Sequence, residues 1–325
     1  MVEILNQPRH SFFFAQHSLG GLAHVTTPHA VIIANPHAGG GRARNIAVKA
    51  QSALASAGVN VTLHLPASRE QLRVISRQAC AEQPAVVLAC GGDGTVHDIL
   101  QSAIAFNTTL GIIPGGTGND IARSLGLPRK TSDSFFHKMA KSIHNQHCEL
   151  IDASKILRDG EQVWSLGVIS IGFDSAVNER ANRISHLRGT FRYIVALLAE
   201  LREFQCHQYT VTIDGVQHRD SAVLIAVGNG GNYGGGMRIC PQADMKDGLL
   251  DVTWVDPAPR RTVLRVFPQI FSGRHINHPL VHTYRATEIS IESPDSIIYA
   301  DGERVGSPPV LIQLVPKAVR VLMNT

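Results

Sequence analysis

The sequence predicts an α/β N-terminal domain with a largely parallel sheet, followed by an antiparallel β-rich C-terminal domain. The length of 325 residues is too great for one small core and suits two domains. From Ala30 onward, continuous apolar runs alternate with helical patterns, which is typical of a parallel sheet with helices on both faces. Beyond about residue 150, short strands flank Asp-Gly turns, which indicates antiparallel hairpins.

These patterns divide the chain into three predicted parts. We expect an extension over residues 1–28, an α/β domain over residues 29–151 and a β domain over residues 152–306. The remaining segment, residues 307–325, contains an apolar strand that we expect to return to the α/β domain. A functional site is then expected in the cleft between the two domains, where ligand sites often lie.

The elements of the α/β domain follow one another in order. The first strand is AVIIANP, which is apolar on both faces, and the helix after it ends at Gly58. The second strand is VNVTLHL, and Ser68 with Gln71 forms a capping box that opens the next helix. The third strand is PAVVLAC, and we expect its helix to begin at Thr95. The fourth strand is LGIIPGG, followed by a short helix that ends at Gly126.

The β domain is predicted as a series of short strands joined by tight turns. Two hairpins are centred on Asp159-Gly160 and Asp214-Gly215, and the later strands are GLLDVTWV, ATEISIES, SIIYADGERV and VLIQLV. One helical pattern interrupts them at residues 191–204. It is amphipathic enough to touch a bilayer, although packing against the β domain is the simpler interpretation.

Composition and charge exclude several classes of protein. Hydrophobic residues make up 44% of the chain and charged residues 17%, which is typical of a globular protein and not of a disordered one. The net charge of +4 is mild and comes without a Lys/Arg-rich cluster, so we expect no nucleic-acid partner, whereas an anionic membrane surface or substrate is compatible. The five cysteines form no C-x-x-C motif, and no apolar run reaches the ~18 residues of a spanning helix, so we expect a cytoplasmic protein with reduced thiols.

Three glycine-rich turns follow three strands of the predicted parallel sheet. They are NPHAGGG at residues 35–41, GGDGT at residues 91–95 and PGGTGND at residues 114–120. The carboxyl ends of parallel strands meet at one edge, where open α/β sheets bind ligands. Glycine lets backbone N–H groups approach a phosphate, and a helix N-terminus after the turn adds its dipole. The three turns together therefore indicate one composite nucleotide site.

Asp93 lies inside this predicted phosphate site, where a carboxylate would repel phosphate. The conflict disappears if Asp93 holds Mg²⁺, either directly or through water. The simpler alternative is an Asp-Gly turn that only joins a strand to a helix. The repetition of the same design on neighbouring strands favours the nucleotide site.

Together with a later DGE at residues 301–303, the GGDGT and PGGTGND motifs resemble those of the diacylglycerol kinase catalytic family. The stretch GNYGGGMRICPQADMKDGLLDV, at residues 231–252, resembles the β-domain signature of its soluble bacterial lipid kinase branch. The resemblance extends from about residue 31 to the end of the sequence. Two positions depart from the family pattern: Ala38 stands where a serine is usual, and His97-Asp98 partly replaces an Asn or Glu.

The resemblance implies an ATP-dependent lipid kinase that uses Mg²⁺ and meets the membrane peripherally to reach its lipid substrate. In that family pattern Glu303 is the base that deprotonates the lipid hydroxyl, and Asp93 acts with it in catalysis. A magnesium ion in the β domain is expected on Asp247 with the carbonyls of Asp244 and Leu249. The positions expected to contact ATP are Asn35, Thr62, Gly91, Gly92, Asp93, Gly94, Thr95, Val96, His97, Thr117, Asn119 and Asp120.

Other interpretations of these motifs remain open from the residues alone. The sequences KDG and DGE are each compatible with a plain Asp-Gly turn. The rival functions are a soluble NAD-kinase-like enzyme and a non-catalytic lipid-binding protein with a kinase fold, and the identity of the lipid is not fixed by the sequence. Asp152 and Asp174 are weaker candidates for the cleft. The histidine-rich stretches at residues 144–148 and 275–282 lack a closed zinc pattern and are expected in loops or on the surface.

Overall fold

The computed structural model describes residues 27–128, 131–172, 177, 180, 195, 196, 199, 206–294 and 296–324. Its helices are α1 (Arg42–Ser56), α2 (Arg69–Ala81), α3 (Asp93–Ala105), α4 (Asp120–Ser124), α5 (Asp133–His144) and α6 (Arg260–Ile270). Its strands are β1 (His29–Ala34), β2 (Asn60–His64), β3 (Val86–Gly91), β4 (Leu110–Pro114), β5 (Cys148–Arg158), β6 (Glu161–Ser165), β7 (Val168–Gly172), β8 (His207–Ile213), β9 (Val216–Ala222), β10 (Leu224–Gly228), β11 (Leu250–Val255), β12 (Val281–Ala286), β13 (Glu288–Glu292), β14 (Ile298–Ala300), β15 (Glu303–Gly306) and β16 (Val310–Leu322). The predicted helix at residues 191–204 lies mostly outside the described residues, as does Asp174.

The first four strands form the parallel sheet that the sequence predicts. Strand β1 lies between β2 and β3, and β4 continues the sheet beyond β3, with every pair parallel. Helices α2 and α3 cover one face through a core that includes Leu72 and Ile99. Helices α1 and α5 cover the other face through a core that includes Ala47, Leu54 and Phe136. The predicted α/β layer with helices on both faces is therefore confirmed.

Strand β16 connects this parallel sheet to the antiparallel part of the molecule. It pairs in parallel with β4 through Val321 and Leu110, and it pairs antiparallel with β5 and β13. Within the described residues, ten strands thus belong to one large sheet. The boundary predicted between residues 151 and 152 falls within β5, which pairs with β16 on both sides of that point.

A second, antiparallel sheet packs against the antiparallel end of the first. Its strand order is β12-β11-β10-β7-β14-β15. Residues from both sheets, including Ile171, Tyr209, Trp254, Ile289 and Ile312, form one buried core between them. This sandwich confirms the predicted β-rich domain. It also carries β15, and with it Glu303, to the edge of the parallel sheet.

The predicted turn and cap residues behave largely as expected. Asp159-Gly160 and Asp214-Gly215 all have positive φ, as the two-residue turns of such hairpins require. The Ser68 hydroxyl accepts a hydrogen bond from the Gln71 N–H, which caps α2. The reciprocal half of the capping box differs, because the Gln71 side chain accepts from the Ala67 N–H at 2.6 Å.

The structure corrects three details of the sequence prediction. Helix α3 begins at Asp93 and not at Thr95, because Gly92 takes the extended N-cap conformation and an aspartate is favourable in the first turn of a helix. Helices α5 and α6 were not predicted, although Ser132 caps α5 by accepting from the Phe135 N–H. His275 is buried against the Ile239 carbonyl and is not a surface residue.

Two absences can be stated for the described part of the chain. None of the helices that the structure describes is long and apolar enough to cross a membrane. The five cysteines are free thiols, as predicted, and burial raises the pKa of Cys90 and Cys240 to about 12.

Candidate active site

A cleft of about 430 Å³ opens at the carboxyl ends of the four parallel strands. Each of these strands contributes a loop to the lining, and β15 of the other domain contributes Glu303, so the cleft lies between the two domains. The lining residues are Asn35, His37, Ala38, Gly39, Pro66, Ala67, Ser68, Arg69, Leu72, Gly92, Gly94, Thr95, Asp98, Gly116, Thr117 and Glu303. Its volume lies within the range of small-ligand sites.

The three glycine-rich turns meet in this cleft, as their shared edge predicts. The N–H groups of Gly115 and Gly116 donate to the Gly91 carbonyl at 2.8 and 2.9 Å. A Cβ atom at Gly116 would overlap the Cα of Gly92, and one at Gly39 would overlap the Gly115 carbonyl oxygen. Glycine is therefore required for a reason that the sequence did not indicate: the loops approach each other too closely for side chains.

Asparagine side chains fix the shape of these loops. Asn35 accepts a hydrogen bond from the His37 N–H at 3.0 Å, which holds the first turn. Asn119, at φ 54°, accepts from the Gly116 N–H at 2.9 Å and donates to the Gly116 carbonyl at 3.1 Å. Asn119 thus holds the loop around Thr117, which itself lines the cleft.

Asp93 and Asp120 form a pair of carboxylates behind the loops. Asp93 accepts from the Ile121 N–H at 2.9 Å, and Asp120 accepts from the Gly235 N–H at 2.6 Å. Both side chains converge on Gly118, where an added Cβ would lie 3.1 Å from one Asp93 oxygen and 3.2 Å from one Asp120 oxygen. Burial, followed by the charge of Asp120, raises the pKa of Asp93 to about 7, and burial also raises the pKa of Asp120.

This pair suits a hard divalent cation. Asp120 is 6% exposed, and its Oδ1 has no hydrogen-bond partner among the described residues, although Arg123 Nε lies 3.5 Å away. Two desolvated carboxylates with an unsatisfied oxygen are a donor set that Mg²⁺ prefers. The residues present therefore fit the metal that Asp93 was predicted to hold.

Glu303 is held in the cleft by a chain of ion pairs. Arg69 donates to Glu303 Oε2 at 2.5 Å and to both oxygens of Asp98 at 2.6 and 2.9 Å. Arg73 also donates to Asp98, whose side chain is 4% exposed. The hydrogen bonds and charges of Asp98 and Glu303 outweigh the lowering effect of burial and raise the pKa of Arg69. Glu303 also packs on Gly94, where a Cβ would overlap its Oε1.

The neighbouring Asp301 has a structural role. Its carboxylate accepts from the Gly167 N–H at 2.7 Å, from the Ser165 hydroxyl at 2.9 Å and makes a 2.9 Å contact with His97 Nδ1. Its side chain is fully buried. These contacts fix the turn that presents Glu303, and they leave Asp301 no oxygen facing the cleft.

The structure does not place three of the predicted ATP-contacting side chains in the cleft. Thr62 lies inside β2, where its hydroxyl pairs with His29 at 2.9 Å. Val96 points into the hydrophobic core, because it occupies the inner face of α3. His97 is 5% exposed and is turned away towards Asp301. Of the other predicted residues, Gly91 and Asn119 shape the loops and Asp93 and Asp120 lie behind them, whereas five line the cleft: Asn35, Gly92, Gly94, Thr95 and Thr117.

The predicted β-domain metal site has a different arrangement. Asp244, Asp247 and Leu249 do share one turn, in which Asp247 accepts from the Leu249 N–H at 3.0 Å. The other Asp247 oxygen pairs with the Arg285 guanidinium, and the Asp244 carbonyl accepts from the Asp247 N–H at 3.4 Å. Among the described residues no group of three His, Cys, Asp or Glu side chains is arranged for a metal. In this structure Arg285 supplies the positive charge beside Asp247, and the magnesium site on Asp247 with the carbonyls of Asp244 and Leu249 stays a prediction.

Asp152, a weaker candidate for the cleft, supports this turn instead. Its oxygens accept from the Gly248 N–H at 2.9 Å and the Lys317 N–H at 2.7 Å. The sequence did not indicate a role for Arg69, which pairs with Glu303, or for Arg73, and it showed Asp98 only as a departure from the family pattern. One available signal was the arginine directly after the Ser68 cap, at the same edge of the sheet as the glycine-rich turns.

Comparisons with known proteins agree with the motifs. Residues 29–156 match the family model "Diacylglycerol kinase catalytic domain", and residues 167–323 match "YegS C-terminal NAD kinase beta sandwich-like domain". A diacylglycerol kinase of Mycobacterium tuberculosis is 38% identical over 292 residues, which cover 89% of this chain and 93% of that protein. A probable YegS-like lipid kinase of Stenotrophomonas maltophilia is 27% identical over 73% of this chain and 78% of its own length. The structure of a putative diacylglycerol kinase from Bacillus anthracis aligns with a TM-score of 0.73 and 25% identity, over 92% of this chain and 98% of that one.

Proposed function

Because the chain belongs to the diacylglycerol kinase family of lipid kinases, we propose that it transfers the γ-phosphate of ATP to the hydroxyl group of a membrane lipid, diacylglycerol or a related lipid. One observation carries the proposal. The three glycine-rich loops line a single cleft, and Glu303 from the other domain lies in it beside Gly94. A carboxylate next to a phosphate-binding loop is the arrangement that in-line transfer to an alcohol requires.

In the proposed reaction the lipid hydroxyl oxygen attacks the γ-phosphorus of ATP. Its proton moves to a carboxylate oxygen of Glu303, the bond from the γ-phosphorus to the β,γ-bridging oxygen breaks, and ADP leaves with that electron pair. The backbone N–H groups of the loops and the N-terminus of α3 stabilise the phosphate charge. Thr117 lines the same space and is placed to donate its hydroxyl hydrogen to a phosphate oxygen.

Arg69 has two tasks in this proposal. Without nucleotide it pairs with Glu303 and is anchored by Asp98. Its side chain is 45% exposed and lines the cleft, so the phosphates of ATP compete with Glu303 for the guanidinium. Transfer of Arg69 to the phosphates would leave Glu303 unpaired and able to accept a proton. Arg69 thus couples the arrival of ATP to the release of the base.

Asp93 and Asp120 would hold Mg²⁺ near the phosphates. When bound, the ion would neutralise phosphate charge during transfer. The two carboxylates are held in place by the Ile121 and Gly235 N–H groups, so their positions do not depend on the ion. A lipid substrate requires peripheral contact with a membrane, and we place the protein at the cytoplasmic side, where ATP is available.

The decisive experiment is a phosphorylation assay with radiolabelled ATP against a panel of acceptors. The panel contains diacylglycerol, phosphatidylglycerol, ceramide and a sphingoid base in mixed micelles, and NAD as the non-lipid acceptor. We expect a labelled lipid, and we expect Glu303→Gln to lower kcat by about 10²–10⁴-fold with the KM for ATP little changed. Labelling of NAD alone, or of no acceptor by a protein that binds lipid, would contradict the proposal.

A further inference from the structure

Helix α6 and the turn after it form a basic surface that the proposed reaction does not use. The sequence of residues 257–274 contains four arginines and not one Asp or Glu. The whole chain has a net charge of +4, so the rest of it is close to neutral. The arginines are spread along the sequence, and for that reason they do not form an obvious cluster before the chain is folded.

The outer face of α6 combines these charges with exposed apolar side chains. Arg261, Leu264 and Arg265 are exposed and lie at helical spacing, so they share one face. Leu264 is 47% exposed, and Phe271, directly after the helix, is 40% exposed. A helix with arginines flanking large apolar side chains on its outer face is typical of helices that lie in the plane of a bilayer interface.

The inner face of α6 attaches the helix to the β domain by modest contacts. Val263, Phe267 and Ile270 are only partly buried, against a small cluster around Met237. Beneath the helix lies a cavity of about 70 Å³ with an almost wholly apolar lining, which includes Val223, Val255 and Leu280. The helix therefore covers apolar space, and its outer face is not needed for the core.

This surface is connected to the candidate active site by one loop. Tyr233 lines the cavity beneath α6, and Gly235, two residues later, donates its N–H to Asp120 of the carboxylate pair. Asn232 of the same loop donates to the Ser124 hydroxyl at the end of α4. A membrane against α6 would thus lie beside the wall of the cleft that a lipid must reach.

We propose that α6 and Phe271 dock the protein on the surface of an anionic lipid bilayer, with Arg261 and Arg265 among the phosphate groups and Leu264 and Phe271 among the first acyl carbons. The inference rests on the proposed function for its choice of partner, since a lipid kinase must meet its substrate at a bilayer. Charge complementarity and the exposed apolar pair select an anionic bilayer over an acidic protein. Anionic surfaces attract each nearby Lys or Arg with about 1 kcal/mol.

The test is sedimentation of the full chain with vesicles, without nucleotide. Phosphatidylcholine vesicles are compared with vesicles that also contain phosphatidylglycerol. We expect binding only to the anionic vesicles. The double variant that combines Arg261→Gln and Arg265→Gln should bind them with about thirtyfold lower affinity. Leu264→Ser with Phe271→Ser should weaken binding to a similar extent. The matched control is Lys138→Gln with Lys141→Gln, an equal charge change on the exposed face of α5, which should change binding less than twofold.

The remaining outcomes contradict either the docking proposal or the proposed function alone. Equal losses in the α5 control and the α6 variant would mean that net charge alone drives binding. Unchanged vesicle binding in the Leu264→Ser, Phe271→Ser variant, with a change in oligomeric state by light scattering, would identify a contact between copies of the chain. A wild type that binds anionic vesicles through α6 but phosphorylates no lipid would support docking and contradict the kinase proposal. Melting temperatures equal to that of the wild type establish that the variants are folded.

Discussion

Replacement of Gly94 by alanine is expected to separate activity from stability. Gly94 is the second residue of α3, and its backbone is helical, so alanine suits the position and stabilises a helix by up to about 1 kcal/mol relative to glycine. The added Cβ would overlap Glu303 Oε1 and lie 3.2 Å from Glu303 Cδ, which is closer than the ordinary contact distance of 3.4–4 Å. Glu303 is a flexible side chain with 28% exposure, so it can move away at little cost.

The displacement required is about 1 Å, and a misplacement of that size at a reacting group can lower the rate about 10²-fold. We therefore expect Gly94→Ala to lower the kcat for lipid phosphorylation by about two orders of magnitude, with a melting temperature equal to or above that of the wild type. The KM for ATP is measured in parallel, because Gly94 also lines the cleft in which ATP is proposed to bind.

The matched control is the same substitution in a Glu303→Gln background. If Gly94→Ala lowers kcat by displacing Glu303, the substitution should have no further effect in a protein that already lacks this base. The kcat of the double variant should then equal that of Glu303→Gln alone. Full activity of Gly94→Ala would show that catalysis does not depend on the position that the Glu303 side chain takes beside Gly94. An additional hundredfold loss in the double variant would show that the alanine acts on nucleotide binding instead.

Three further predictions concern charged side chains of the cleft, of the carboxylate pair and of the β-domain turn. Arg69→Gln should raise the KM for ATP about tenfold, as expected for the loss of one charge-assisted hydrogen bond, and an unchanged KM would argue against a phosphate contact. Because the pKa of Asp93 is raised to about 7 when folded, the folded protein retains a proton that the unfolded chain releases above pH ~4, so stability falls as pH rises towards 7. In the presence of a chelator, the melting temperature of Asp93→Asn should therefore exceed that of the wild type at pH 8 and equal it near pH 4. A difference in melting temperature that does not change with pH would contradict the raised pKa of Asp93. If Arg285 holds Asp247, Mg²⁺ should change the melting temperatures of Asp247→Ala and wild type equally; a magnesium shift lost in the variant would restore the β-domain metal site.

The regular part of the fold was predictable because its signals are local. Buried strands, caps and Asp-Gly hairpins depend on neighbouring residues, and the glycine-rich turns had to meet because parallel strands end at one edge. Helix α6 was missed because Pro268 lies inside it, and a proline normally indicates the end of a helix.

The chemistry of the candidate site was only partly predictable, because it depends on distant contacts. Arg69 and Glu303 are separated by 234 positions, and no local pattern indicates that they pair. His97 and Asp301 are separated by 204 positions and contact each other, so His97, which was predicted to contact the nucleotide, instead supports the turn that contains Asp301. Family motifs locate the cleft, whereas the partners that position its carboxylates become visible only after folding.

The pairing of β16 with β4 has a consequence for synthesis of the protein. As the chain emerges from the ribosome, β1 to β4 and their helices are complete long before residue 321 is available to pair with Leu110. Until then the β4 edge of the parallel sheet is open, and such an edge can pair with another chain. Long-range pairing of this kind is also slow to form. The α/β half is thus expected to need protection from aggregation until β16 closes it.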